Sequence, residues 1–267
     1  MVNKINILTA NPDGNKTIFV LDHYERTEYK NIANKLLDIK EIGAEQVGFI
    51  IPAAGLEPAR MEMCGQEFCG NASRSYALYL AKLVGINGPG SVTIRVSGID
   101  EDLEVEVDTS SNYTKISMPV PTNIVHFPLM HSPDAQLAIF NGIMHLVVFD
   151  KSATLDSFNK LKSSILKQYS SPAIGVMFYN TANVSLTPVV WVRDINSTFF
   201  EGSCASGSVA TAAVLSKDFE DGTYTFKLPQ PEGTLEITII KENNIIKKAF
   251  LQGKVELDDA TQIVITI

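Results

Sequence analysis

Two cysteine-led loops recur about half a chain apart, and a chain built that way is constrained to fold as a duplicated unit. The first reads Cys69-Gly70-Asn71-Ala72-Ser73 and the second Cys204-Ala205-Ser206-Gly207-Ser208. Each runs directly into a helix-like stretch, Ala72 to Leu80 in one case and Val209 to Leu215 in the other. A cysteine just ahead of a helix meets unpaired N–H groups and the positive end of the helix dipole, both of which favour its thiolate. Two such thiols, one per half, predict an acid and a base facing each other across a cleft. That equipment moves a proton from one face of a carbon to the other.

The repetition extends beyond the cysteines. The run from Gly14 to Asp22 passes from a glycine through an apolar strand to an aspartate, and Gly142 to Asp150 has the same length and pattern. Val47-Gly48-Phe49 is echoed by Ile174-Gly175-Val176, and Leu103-Glu104-Val105 by Leu235-Glu236-Ile237. Motif pairs in one order at nearly one offset predict two lobes of about 130 residues, an ordinary domain size. The expected division is 1–120 joined by a returning last strand at 256–267, and 121–255, with Pro119 and Pro121 near the boundary.

Strand patterns, β-branched or aromatic and bounded by turn residues, fall at 4–8, 16–21, 46–51, 92–96, 103–107 and 114–118 in the first half. The second half offers 144–149, 174–178, 189–193, 223–227, 235–240, 248–255 and 262–267. Helical periodicity appears at 29–42 and 155–169, between the second and third strands of each half. The resulting class is α+β.

With 45% hydrophobic and 19% charged residues, the chain has the makings of a substantial core. Its net charge of −8 argues against nucleic acid or an anionic membrane as partner. No apolar run reaches the roughly 18 residues of a membrane span, and the first residues lack the apolar core of an export signal. Three cysteines cannot all pair, so the expected setting is a reducing cytoplasm.

The string Gly65-Gln66-Glu67-Phe68-Cys69-Gly70-Asn71-Ala72 resembles the first cysteine motif of diaminopimelate epimerases, and Ser203-Cys204-Ala205-Ser206-Gly207 resembles the second, with Ala205 where a glycine is usual. The resemblance continues in order through Asn11-Pro12-Asp13-Gly14-Asn15, Glu45-Gln46-Val47-Gly48-Phe49, Val96-Ser97-Gly98 and His145. Within that superfamily the chain is most similar to the cofactor-independent histidine racemases of metallophore synthesis. The resemblance implies two pseudo-symmetric lobes, each a mixed β-sheet or barrel around a central helix, with the active site in the cleft between them. It also implies a homodimer, an amino-acid substrate and neither metal nor cofactor.

It implies residue roles as well. Cys69 and Cys204 exchange the proton, with a helix terminus holding each thiol low enough to act as a base near neutral pH. The amides of Gly70, Asn71, Ala205 and Ser206 hold the substrate carboxylate. His145 accompanies the first cysteine, though a lone histidine beside Leu146-Val147-Val148 also reads as a core residue. Asn15 and Gln46 line the substrate pocket; Glu45 supports it or reads equally as a solvated strand-end charge, and Glu201, three residues before Cys204, reads as a surface charge or, in place of the family's missing acid, as a partner for the substrate ammonium. The positions that grip the distal groups of diaminopimelate read Glu62, Ile143, Ala173 and Asn196, and the family's Glu-Arg pair is replaced by Ile195-Asn196. Ile and Ala cannot compensate a buried carboxylate, so a smaller or aromatic side chain is expected, and Glu62 is placed to accept an imidazole N–H. The alternatives are a diaminopimelate epimerase, a racemase of another amino acid, or a non-catalytic protein holding zinc through Cys64, Cys69, Cys204 and His145.

Overall fold

The computed structural model describes every residue except 1, 53–57, 130, 131, 195 and 267, and leaves the side chains of 2 and 266 undescribed. The chain divides into two compact units, Met1–Ser117 with Gln252–Ile267, and Met118–Leu251.

The first unit opens with β1 (Val2–Asn11), β2 (Thr17–Val20), α1 (Arg26–Leu37), β3 (Gln46–Ile51) and β4 (Ala59–Met63). It continues with α2 (Gly70–Leu83), β5 (Pro89–Val96), β6 (Leu103–Asp108) and β7 (Tyr113–Met118). β1 pairs antiparallel with β2, β2 runs parallel to β3 across the α1 crossover, and β3 turns back antiparallel to β4. β4 is parallel to β5, which continues as an antiparallel meander through β6 and β7. In β6 the sequence Leu103-Glu104-Val105-Glu106-Val107 alternates apolar and charged residues, and Val105 and Val107 are its buried ones.

The second unit begins with β8 (Asn123–His126), β9 (Gln136–Ile139), β10 (Ile143–Phe149), α3 (Leu155–Leu166), β11 (Ala173–Asn180) and β12 (Ser185–Val192). Then come β13 (Ser197–Phe200), α4 (Ala205–Leu215), β14 (Gly222–Pro229), β15 (Thr234–Glu242) and β16 (Ile245–Lys254). The antiparallel β9–β10, parallel β10–β11 and antiparallel β11–β12 pairings repeat the order of β1 to β4. β10 and β11 carry near-continuous buried runs, as strands covered on both faces do. Phe158, Leu161 and Ile165 of α3 pack into that core. Truncating Phe158 to alanine would cost about 3–5 kcal/mol. The chain ends in the first unit with β17 (Glu256–Leu257) and β18 (Thr261–Thr266), the latter in register along β1 from Val2↔Thr266 to Ile7↔Thr261.

α1 and α3 bury one stripe each, whereas α2 and α4 are buried almost all round. α4 manages this with an apolar sequence, and the turn that follows it is held by Lys241, whose Nζ donates to the carbonyl oxygens of the C-cap Ser216 and of Lys217 and Phe219 at 2.9, 2.8 and 2.6 Å. α2 instead buries Asn71, Ser73, Arg74 and Ser75.

Most expected strands appear with their ends shifted by one to four residues, 16–21 being shortened and most others lengthened, and 46–51 falls where it was read. Several were missed, chief among them β4. Its segment 59–63 carries two charged residues and no strand was read there, yet Glu62 is fully buried and paired with Arg60. The helix expected at 29–42 starts a turn earlier, where Glu28 Oε2 accepts the N–H of Glu25 at 3.0 Å. Ile267, the end of the last expected strand, lies outside the described residues.

Candidate functional site

Each cysteine occupies the N-cap of a buried helix in nearly identical backbone geometry. Cys69 has φ −126 and ψ 109 ahead of α2, and Cys204 has φ −121 and ψ 109 ahead of α4. Both sulfurs accept a helix amide, from Ala72 at 3.5 Å and from Gly207 at 3.4 Å. The serine four residues on back-bonds to each cysteine carbonyl at 2.7 Å, Ser73 in one case and Ser208 in the other.

In the first unit the surroundings of Cys69 are polar. Gln46 Nε2 lies 3.3 Å from the sulfur and 2.8 Å from both Asn15 Oδ1 and Thr17 Oγ1. Asn15 sits in the left-handed region at φ 60, at the end of a turn in which Asn11 Oδ1 accepts the N–H of Gly14 at 2.9 Å. Asn15 Nδ2 donates to Glu45 Oε2 at 3.1 Å and Asn71 Nδ2 reaches Asn15 Oδ1 at 3.5 Å. The structure thus gathers Cys69, Asn15, Gln46, Glu45 and Asn71 into one hydrogen-bonded group. The Val96-Ser97-Gly98 motif supports it from below. Ser97 Oγ accepts from Met63 N at 2.9 Å and donates to Glu67 O at 2.7 Å. Gly98, at φ +77, leaves no room for a Cβ against Phe68.

Around Cys204 the partners differ. Glu201 accepts a hydrogen bond from the thiol. Ser206 Oγ lies 3.7 Å from the sulfur and 2.9 Å from His145 Nε2. The family resemblance placed His145 with the first cysteine; its hydrogen bond instead runs to the second cysteine loop, because β10 and α4 belong to the same unit. A Cβ at Gly175 would collide with the His145 ring, so a glycine at this point of β11 makes space for it. Burial pushes His145 down to about 3, so the ring is neutral, and its Nδ1 has no hydrogen-bond partner among the described residues. Gln230, which no motif singled out, accepts the Cys204 N–H at 2.9 Å and donates to Ser208 Oγ at 2.9 Å. Its position in the turn Pro229-Gln230-Pro231 carries no sequence signal for that role.

The expectation that a helix terminus depresses these thiols is overturned. Burial pushes Cys69 up to about 11, against the opposing pull of the Ala72 amide and Gln46. Burial and the Glu201 carboxylate push Cys204 well above the ordinary thiol value. Desolvating a thiolate outweighs the few N–H groups that a helix start supplies.

Glu62 is also placed differently from the expectation. It is fully buried, and its carboxylate takes Arg26 Nε and Arg60 Nε at 2.8 Å each and Gln66 Nε2 at 3.4 Å, with Arg26 Nη2 closer still. Burial would raise its carboxyl, but the two guanidinium groups outweigh burial and hold it below the usual range. Its oxygens are committed to these ion pairs, which leaves imidazole recognition to other groups. Two other positions of the distal set, Ile143 and Ala173, are direct register partners on β10 and β11 and make an apolar pair. Asn196 uses its Oδ1 to accept Trp191 Nε1 at 3.0 Å, and Ile195 lies outside the described residues. Cys64 packs against the first unit's core. Among the described residues no group of three or more His, Cys, Asp or Glu side chains is arranged to hold a metal ion. Among them, too, no helix is long and apolar enough to cross a membrane.

Comparison with known proteins adds to this geometry. Residues 4–262 match the family described as the histidine racemase CntK N-terminal domain. A histidine racemase of Fusobacterium nucleatum is 32% identical over 266 residues, covering 96% of this chain and 95% of the relative. A histidine racemase of Staphylococcus aureus is 26% identical over 253 residues, 92% of each chain. Among solved structures, a hydroxyproline epimerase from Agrobacterium vitis matches with a TM-score of 0.66 at 10% identity, covering 98% of this chain and 91% of that one. That likeness concerns the fold, a sheet-dominated α+β arrangement.

Proposed function

Because this chain belongs to the histidine racemase family, we propose that it interconverts L- and D-histidine without a cofactor, with Cys69 and Cys204 exchanging the proton on opposite faces of the α-carbon. The observation that carries the reading is the paired N-cap placement, each sulfur accepting an amide at the start of a buried helix. An α-hydrogen beside a carboxylate is weakly acidic, so the carboxylate must gain stabilisation as charge grows on it. The amides of Gly70 and Asn71, and of Ala205 and Ser206, supply donors of the type that oxyanion sites use, worth about 3–4 kcal/mol each. One sulfur takes the proton as thiolate while the other delivers its own as thiol, and the two exchange roles in the reverse direction.

The raised thiols fit this scheme. The substrate carries an ammonium group, and a positive charge close to a buried sulfur favours its thiolate, so base strength is greatest with substrate present. The apolar Ile143–Ala173 pair and the committed Glu62 leave a distal carboxylate without a partner, which favours histidine over diaminopimelate. The same reading places the protein in the cytoplasm as a homodimer, on the strength of three free cysteines and of family likeness; size-exclusion chromatography with light scattering tests the dimer. Purified protein given L-histidine, with chelator and without pyridoxal phosphate, should form D-histidine, and LL-diaminopimelate should be turned over poorly. A higher kcat/KM for LL-diaminopimelate would overturn the specificity.

A further inference from the structure

α2 contains a buried cation that the two-cysteine chemistry above does not use. Arg74 is 0% exposed, five residues beyond Cys69. Its guanidinium donates to Pro12 O at 2.7 Å, Lys254 O at 3.0 Å, and Asn71 Oδ1 and Thr114 Oγ1 at 3.4 Å each. All four acceptors are neutral. A guanidinium keeps its charge at any working pH, and a buried charge held only by dipoles is costly unless a negative charge lies close. Burial disfavours the charge, and the negative groups that offset it are Asp13 first and the Cys69 sulfur second. Asp13 is itself pushed towards its neutral form by burial, so it compensates Arg74 incompletely.

The second loop has no counterpart. Five residues beyond Cys204 stands Val209, and the charged group facing that sulfur is the Glu201 carboxylate, which takes the thiol proton as a hydrogen bond. The other groups around Cys204, Ser206 and the neutral His145, carry no charge. Around Cys69 the acidic neighbour is Glu67, which burial drives towards its protonated form, and Glu45 stands off behind Asn15.

We propose that Arg74 is a positioning residue that makes Cys69 the more readily ionised of the two thiols, so that Cys69 gives up its proton before Cys204 does. Its Pro12 bond fixes the turn that carries Asn15, and through Asn15 the amide of Gln46 is aimed at the sulfur. Its charge then favours the deprotonated form of the sulfur at the head of its own helix. The catalytic meaning rests on the two-thiol reading above, but the protonation order is measured without turnover.

The test is alkylation of the intact protein by iodoacetamide across a pH series, with Cys69 and Cys204 peptides quantified separately by mass spectrometry. Midpoints are compared rather than rates, because accessibility scales a rate without moving its midpoint. In the unmodified protein the Cys69 midpoint should lie below that of Cys204. Arg74→Gln should raise the Cys69 midpoint by about one pH unit or more and leave that of Cys204 in place, while Arg74→Lys keeps most of the wild-type value. A Cys204 midpoint below that of Cys69 overturns the proposal, as does an equal shift of both midpoints in Arg74→Gln. If Arg74→Gln does not fold, the wild-type order and the Arg74→Lys midpoint decide it. Reversed midpoints in a protein that still racemises histidine sink this inference alone; absent racemisation with the expected midpoints sinks only the functional reading.

Discussion

The two cysteine loops share a backbone and differ in charge. Both cap a buried helix with φ near −120 and ψ 109, and both are braced by a serine four residues on. Around that common frame the first unit sets amide donors and a buried guanidinium, and the second sets a carboxylate and a neutral imidazole–hydroxyl pair. The shared backbone geometry depends on φ, ψ and hydrogen bonding that many side chains satisfy. Electrostatics diverges freely, since one substitution such as arginine for valine inverts it. An enzyme that takes a proton on one side and gives one on the other is served by such a difference.

The largest effect that can break this comparison is removal of either sulfur. Cys69→Ala and Cys204→Ala should each reduce D-histidine formation to background, because one remaining thiol serves one face only. Chiral chromatography of the product measures it. A variant that racemises at near wild-type rate would remove that cysteine from the chemistry.

Next is Gly175→Ala. The added methyl group meets the His145 ring and Met177, so the ring must leave Ser206 or β11 must shift, at a cost of about 1–3 kcal/mol. Denaturant titration should show that loss. The corresponding glycine of the first unit, Gly48, meets the softer ends of Met61 and Phe19 and should lose less.

Glu201→Gln sharpens the contrast by removing a charge that holds the Cys204 proton. The Cys204 alkylation midpoint should fall and that of Cys69 should stay.

The most gradual effect concerns pH and stability. His145 is held from its ordinary 6.5 down to about 3 by burial, so between those values the unfolded chain binds a proton that the folded one does not. Its contribution is therefore intact above 6.5 and declines as pH falls towards 3. Tm should drop over that range, and His145→Gln should flatten the drop. An unchanged slope would place the acid sensitivity elsewhere, with paired carboxylates such as Glu62 the next candidates.

Much of the fold was legible because it is written in periodicity. The Leu103–Val107 alternation, the apolar β10 and β11 runs, and the duplicated glycine-to-aspartate segments all report burial by residue type alone. β4 was not legible, since its buried Glu62 is tolerated only through Arg26 and Arg60, and Arg26 is remote in sequence. The same limit governs the site. The cysteines announce themselves by their place before a helix, whereas Gln230 and Thr17 act through contacts that only folding brings together. Arg74 stood in the helix-like stretch behind Cys69, but a charged residue in a helix reads as solvent-facing until its burial is seen.

The central claim, one thiol for each face of the carbon, is tested most directly by racemising L-histidine in deuterated water and analysing the first few per cent of reaction. The account predicts D-histidine carrying solvent deuterium at the α-carbon while the remaining L-histidine keeps its original hydrogen, since the proton removed by one sulfur does not return from the other. D-histidine that retains the original hydrogen, or L-histidine that exchanges as fast as product forms, would show a single base working both faces and would contradict it.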